Sequence, residues 1–243
     1  MLSFSKVIFD ISGTRLMEDF DLVISPQEIV VIIGPSGIGK PTVLRLAAGL
    51  EPPTAGSVTN SFVRTTVVFQ EHRLLPWASA RDNVAVALEG HAFSRTQCRD
   101  QAERWLQRLG FEPSDMAKHP LQLSGGMQAR VAIARAFATK PDLVLMDEPF
   151  AALDLARRRD LQVLTRSLCS ETGVSVLFVT HDLAEAVSLA DRIVVMAGLP
   201  ARITAEWPQS PKLSASDTWS AVADLSQRPE FATVFGGLPA DER

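Results

Sequence analysis

Short apolar runs alternate with stretches of helical period along most of this chain. Residues 22–24 and Ile29–Ile33 are β-branched runs separated by the turn cluster Ser25-Pro26-Gln27-Glu28, so residues 2–33 read as strands. A glycine-rich loop follows, then a helix over 43–50, a turn at 51–56, and a strand at 65–70 that ends in a polar residue. From about Ala80 to Gly110 the period is helical, with Ala102, Trp105, Leu106 and Leu109 on one face. Residues 111–123, with Pro113 and Pro120, read as a helix-and-loop connector. Ser124 opens a helix carried by residues 131–136. Beyond it come an apolar strand at 143–146, an amphipathic helix at 155–169, a buried strand at 174–180, a helix at 183–190 and a strand at 193–196.

Strands that are apolar throughout, alternating with helices, imply an α/β fold whose mostly parallel sheet is covered on both faces. The chain of 243 residues suits one such domain, possessing a small helical lobe. The pattern puts the core at about 2–75 and 135–197 and the helical subdomain at about 76–134. The tail from about 198 to 243, rich in proline and weak in period, receives no function. A hydrophobic fraction of 46% supplies a core, and 21% charged residues supply a polar surface.

The net charge of −4 argues against nucleic acid as the main partner. No apolar stretch approaches the roughly 18–20 residues that span a bilayer. The first ten residues lack the basic and apolar regions of a secretory leader. Membrane association is therefore expected only through partners. Cys98 and Cys169 form no metal or redox motif and are expected to be reduced thiols.

The strand Ile29–Ile33 runs directly into Gly34-Pro35-Ser36-Gly37-Ile38-Gly39-Lys40-Pro41-Thr42, with a helix after it. This strand–loop–helix setting is the one a phosphate-binding loop requires. Glycines let successive backbone N–H groups converge on phosphate oxygens, the helix N-terminus adds its positive end, and Lys40 adds a point charge. One position departs from the pattern. Where a Ser or Thr hydroxyl normally ligates Mg²⁺, Pro41 offers neither a hydroxyl nor an N–H. Thr42 keeps its hydroxyl but points elsewhere on the helix.

The apolar strand at 143–146 delivers Asp147-Glu148-Pro149. A carboxylate at such a strand end is how phosphate-loop proteins bring an acid to Mg²⁺, and an adjacent glutamate can act as general base. Between the two motifs lies Leu123-Ser124-Gly125-Gly126-Met127-Gln128. With this stretch the sequence resembles the ABC ATPase family of phosphate-loop NTPases, over about residues 2–197. Phe69-Gln70-Glu71 looks like that family's Q-loop, Ala152-Leu153-Asp154 its D-loop and Thr180-His181-Asp182 its switch histidine.

The resemblance implies a parallel-sheet core with an antiparallel β region and a helical subdomain. It also implies ATP and Mg²⁺ as ligands. Lys40 and the amides of residues 34–42 would bind phosphates, Asp147 would hold Mg²⁺ through water, and Glu148 would be the base. Gln70 would contact the ion or the attacking water, and His181 would reach the γ-phosphate. Ser124, Gly125, Gly126 and Asp154 would meet the ATP of a second copy, or of a second ATPase subunit, paired head to tail. The family usually stacks an aromatic on adenine; the corresponding position is Ile11, with Phe9 two residues earlier and no tyrosine anywhere in the chain.

The stretch Gln70-Glu71-His72-Arg73-Leu74-Leu75-Pro76-Trp77 is similar to importer subunits for nitrate, sulfonate, taurine and related solutes. That likeness implies two membrane permease chains, a periplasmic solute-binding protein, and a place on the cytoplasmic face of the inner membrane. Leu74, Leu75 and Trp77 would line a groove for a permease helix. Pro41 keeps a second reading open: a regulatory nucleotide-binding subunit with little hydrolysis.

Overall fold

The apolar runs become strands where the pattern marks them. The computed structural model describes residues 1–90, 93–209 and 214–231; the end of the tail lies outside the described residues. In chain order the elements are β1 (Leu2–Ile11), β2 (Thr14–Ile24), β3 (Ile29–Ile33), α1 (Lys40–Ala47), β4 (Ala55–Asn60), β5 (Thr65–Val68), α2 (Ala80–Ala85) and α3 (Arg95–Arg108). They continue with α4 (Gly125–Ala138), β6 (Leu143–Asp147), α5 (Leu155–Thr172), β7 (Ser175–Thr180), α6 (Leu183–Leu189), β8 (Arg192–Ala197), β9 (Arg202–Pro208) and α7 (Ala215–Ser226). These fall into two units, one made of Met1–Phe62 with the described residues from Gly173 onward, the other of Val63–Thr172.

In the first unit β3 runs parallel to β7 on one side and to β8 on the other, and β9 adds an antiparallel edge. Every residue of β3 and β7 is buried, which is why both read as continuous apolar runs rather than as alternating ones. A separate antiparallel sheet has the order β2-β1-β4. Its β1 carries register shifts against both neighbours, so its side chains do not alternate cleanly between faces. Phe4 and Phe20 meet edge to face there, with ring centroids 5.5 Å apart.

The tail, which the sequence left without elements, supplies β9 and α7. Trp207 of β9 packs against Phe231 at 6.5 Å, and the Arg228 guanidinium sits 4.0 Å over the Trp207 ring. With Leu225 and Phe231 buried, these contacts hold the tail on its own unit, where α7 lies against α6.

In the second unit β5 and β6 pair in parallel, and α2, α3 and α4 pack on one another. The helical period expected over 80–110 is interrupted. The chain leaves α2 through a short 3-10 turn, passes Gly90 at φ 92°, and restarts at Ser94, which forms a capping box with Gln97. Cys98, Ala102 and Leu106 form the buried face of α3, and Arg81–Glu103 and Arg99–Asp82 ion pairs tie it to α2. Both cysteines are free and buried. Among the described residues no helix is long and apolar enough to cross a membrane.

Candidate functional site

The parallel register of the first unit sets two site segments side by side. Ile33, the last residue of β3, pairs with Thr180, the last residue of β7. The next residues, Gly34 and His181, therefore leave adjacent strands at the same level. The carboxyl ends of parallel strands are where α/β sheets bind ligands.

The loop's geometry explains its residues. A Cβ on Gly34 would lie 2.5 Å from the Met196 carbonyl oxygen of β8, so no side chain fits at the start of the loop. Gly39 has φ 104° and forms the left-handed N-cap of α1, a conformation other residues rarely adopt. Pro35, Ser36, Gly37 and Ile38 complete the loop, with Ser36 and Gly37 exposed. Lys40 is buried and donates from Nζ to the carbonyls of Gly34 at 2.7 Å and Pro35 at 2.9 Å. The ammonium thus clasps the loop from within, its charge solvated by carbonyls instead of water.

Pro41 stands in the first turn of α1, exposed to solvent. That turn's N–H groups have no intrahelical acceptor, so the helix tolerates the substitution. Thr42 is buried, and its N–H bonds the Gly39 carbonyl at 3.0 Å. Residue 42 is thus turned to the interior, while position 41 is exposed. Position 41 therefore contributes neither an outward hydroxyl nor a backbone N–H to the loop.

In the second unit Val68 of β5 pairs with Met146 of β6. Gln70 and Asp147 accordingly leave the same edge of that pair, Gln70 exposed and Asp147 half-buried. Glu148 follows with φ 39°, a left-handed conformation that costs a non-glycine residue on the order of 1 kcal/mol and clusters at functional sites. Arg135 of α4 donates to the carbonyls of His72 and Arg73, fixing the segment after Gln70. Burial, reinforced by the Arg135 charge, pushes the His72 imidazole below its usual range.

Ser124 caps α4, its hydroxyl accepting from the Met127 N–H at 3.4 Å. Gly125 and Gly126 in the first turn have room for a Cβ: the nearest atoms would be 3.8 Å and 3.5 Å away. Neither has a positive φ. Among the described residues nothing demands glycine at either position. Asp154 caps α5, accepting from the Arg157 N–H at 3.0 Å with its side chain mostly exposed.

Among the described residues no three His, Cys, Asp or Glu side chains converge into a metal cage. A hard ion bound through one carboxylate would draw further oxygens from water and phosphates. Phe9 is buried in β1, whereas Ile11 is half exposed; the core claims Phe9. Leu75, Trp77, Ala85 and Val86 line part of a groove of about 290 Å³, with Trp77 75% exposed. Two polar residues absent from the sequence reading belong beside these segments: Arg135, and Glu185 of α6, buried one turn beyond His181.

Residues 17–151 match the ABC transporter family. Taurine import ATP-binding protein TauB of Escherichia coli is 40% identical over 215 residues, covering 86% of this chain and 84% of that protein. The protein of the same name from Chromobacterium violaceum is 41% identical over 234 residues, covering 93% and 88%. Among solved structures, the dimeric bacterial ABC transporter cassette MJ0796 superimposes with a TM-score of 0.77 at 30% identity, over 87% of this chain and all of that one. Its post-hydrolysis dimer bound to ADP and Pi gives 0.76 at 29%. By these likenesses in sequence and in fold, the chain belongs to the ABC transporter family as an ATP-binding subunit with ATPase activity.

Proposed function

We propose that this chain is the energy-coupling subunit of an importer for a small sulfonate of the taurine class. The observation that carries this reading is the identity of 41% over 88% of a taurine importer's ATP-binding protein. The proposed assembly has two copies of this chain, two permease chains and a periplasmic solute-binding protein, on the cytoplasmic face of the inner membrane. The groove beside Trp77, lined by Leu75 and Val86 but also by Asp82, Glu89, Arg95 and Arg99, suits an amphipathic permease helix whose apolar side covers the exposed Trp77 ring.

In this reading the Lys40 ammonium and the backbone N–H groups of the loop 34–42, which Pro35 and Pro41 lack, hold the β- and γ-phosphates. Asp147 and Gln70 would hold Mg²⁺, which when bound neutralises charge on those phosphates. Glu148 takes a proton from the attacking water. His181 contacts the γ-phosphate. Ser124, Gly125, Gly126 and Asp154 contact the nucleotide of the opposing copy, which turns ATP binding into closure of the pair.

The test is reconstitution in vesicles with the permease and solute-binding chains of a taurine importer. Uptake of a sulfonate should require Mg²⁺-ATP, and Glu148→Gln should lower turnover by roughly 10²–10⁴ while nucleotide binding persists. Failure to co-purify with the permease would reject the transport role. Pro41 supports a second reading, in which the chain binds ATP but contributes little hydrolysis. Normal turnover by the assembled wild type would reject it.

A further inference from the structure

We propose that Glu185 is a positioning residue for His181, acting through the hydroxyl of Thr180. The inference rests on the reading of His181 as the group that meets the γ-phosphate. Glu185 lies on α6 among Leu183, Ala186, Val187 and Leu189, all buried, and is itself only 3% exposed. An acid seldom occupies such a position unless it is held by specific bonds.

The bond that holds it is short and directional. Thr180 Oγ1 donates to Glu185 Oε2 at 2.6 Å, and both side chains are buried. A hydroxyl has one hydrogen and two lone pairs. With its hydrogen given to the carboxylate, its lone pairs remain for a donor, and the Asp182 N–H takes one at 3.0 Å. Asp182 in turn caps α6, its Oδ1 accepting from the N–H groups of Ala184 at 2.8 Å and Glu185 at 3.4 Å.

His181 therefore sits between two residues joined to each other around it. Thr180 anchors the preceding side to the sheet through its pairing with Ile33, and Asp182 anchors the following side to α6. The single exposed residue between them is the histidine. Glu185 sets the rotamer of the Thr180 hydroxyl, and that rotamer sets the acceptor offered to the Asp182 N–H. Removing the carboxylate lets the hydroxyl turn, and the peptide carrying His181 loses its fixed direction. The imidazole then reaches its target in only a fraction of molecules.

The test uses the full chain and needs no turnover. Trinitrophenyl-ATP is displaced by ATP or by ADP, and the ratio of the two affinities reports contact with the γ-phosphate. His181→Ala should lower the preference for ATP. Glu185→Ala should lower it by about threefold to tenfold, the worth of one oriented hydrogen bond. Glu185→Gln, which keeps an acceptor oxygen for Thr180, should stay close to wild type. The double variant Glu185→Ala with His181→Ala should match His181→Ala alone, because a positioning residue has nothing left to position.

A Glu185→Ala protein that folds and keeps the wild-type ratio overturns the proposal. So does an additive loss in the double variant, which would mark a merely structural role. If His181→Ala itself leaves the ratio unchanged, the reading of His181 fails and the positioning role falls with it. Should Glu185→Ala not fold, Thr180→Val against Thr180→Ser makes the same comparison, since only serine keeps the hydroxyl.

Discussion

Arg135 donates through Nη2 to the backbone carbonyl of His72 at 2.8 Å, across 63 residues of sequence. Its Nη1 takes the next carbonyl, that of Arg73, also at 2.8 Å. One guanidinium near the end of α4 thus fixes the segment that follows Gln70, and α4 is the helix that Ser124 opens. Arg135→Ala should destabilise the chain by about 1.5 kcal/mol, the lower end of the range for hydrogen bonds to charged groups, since one acceptor is half-buried and the other exposed. Arg135→Lys should recover only part, because an ammonium cannot reproduce the planar fork. Urea unfolding of the three proteins measures both effects.

Pro41→Ser restores the hydroxyl that phosphate-loop proteins present to Mg²⁺ while leaving α1 in place. Stability should change by less than about 0.5 kcal/mol, since the position is exposed and the first turn needs no N–H there. Mg²⁺-dependent turnover should rise at least about tenfold, equivalent to about 1.4 kcal/mol of barrier. The comparison belongs in the permease-bound complex, and equal rates for the two proteins would show that the hydroxyl is not limiting.

Gly34→Ala places a Cβ 2.5 Å from the Met196 carbonyl. The obstacle is backbone within a parallel strand, so it cannot swing aside. A loss of about 1–3 kcal/mol in stability is expected, as for other overpacked sites. Because the loop's first residue must shift, nucleotide affinity should fall together with the thermal midpoint. A variant that unfolds earlier but binds ATP normally would contradict this coupling.

Most of the fold is legible where burial is complete. β3, β6, β7 and β8 are apolar along nearly their whole length, and such runs admit few readings when turn residues flank them. β1 is harder, because its bulges break the two-residue period. β9 is an edge strand whose alternation of exposed and half-buried residues carries a weak apolar signal. The interruption between α2 and α3 depends on the conformation of Gly90 and the cap at Ser94, both local, whereas the helical period continues past them. α1 begins at Lys40 rather than at residue 43, because Gly39 supplies the left-handed cap.

The site divides in the same way. The phosphate loop and the acidic pair are local in sequence and are visible in it. Glu185 is hidden, because one acid in a helix reads as a surface residue until its burial is known. Arg135 is hidden because its partners are backbone atoms, which leave no mark on residue identity.

Glu18 provides a handle on pH. Hydrogen bonds from Arg202 and then Arg15 hold its carboxyl below the ordinary value of 4.5. A lowered folded value means that the contribution to stability is complete above the ordinary value and is lost as pH falls through the lowered one. Between about pH 5 and pH 3, Glu18→Gln should therefore flatten the decline of the denaturation midpoint. The group is only half-buried, so added salt should shrink the difference.

Gly125 and Gly126 give α4 a weak beginning for no reason found among the described residues. Alanine at either position would fit and would favour the helix by roughly 0.5–1 kcal/mol. A protein selected for its solitary stability would have no reason to keep them. Gly126→Ala should melt later on its own and perform worse in the assembled transporter, seen by thermal unfolding beside transport-coupled ATP hydrolysis. The looseness of that one turn would then be a trace left on the monomer by the company it keeps.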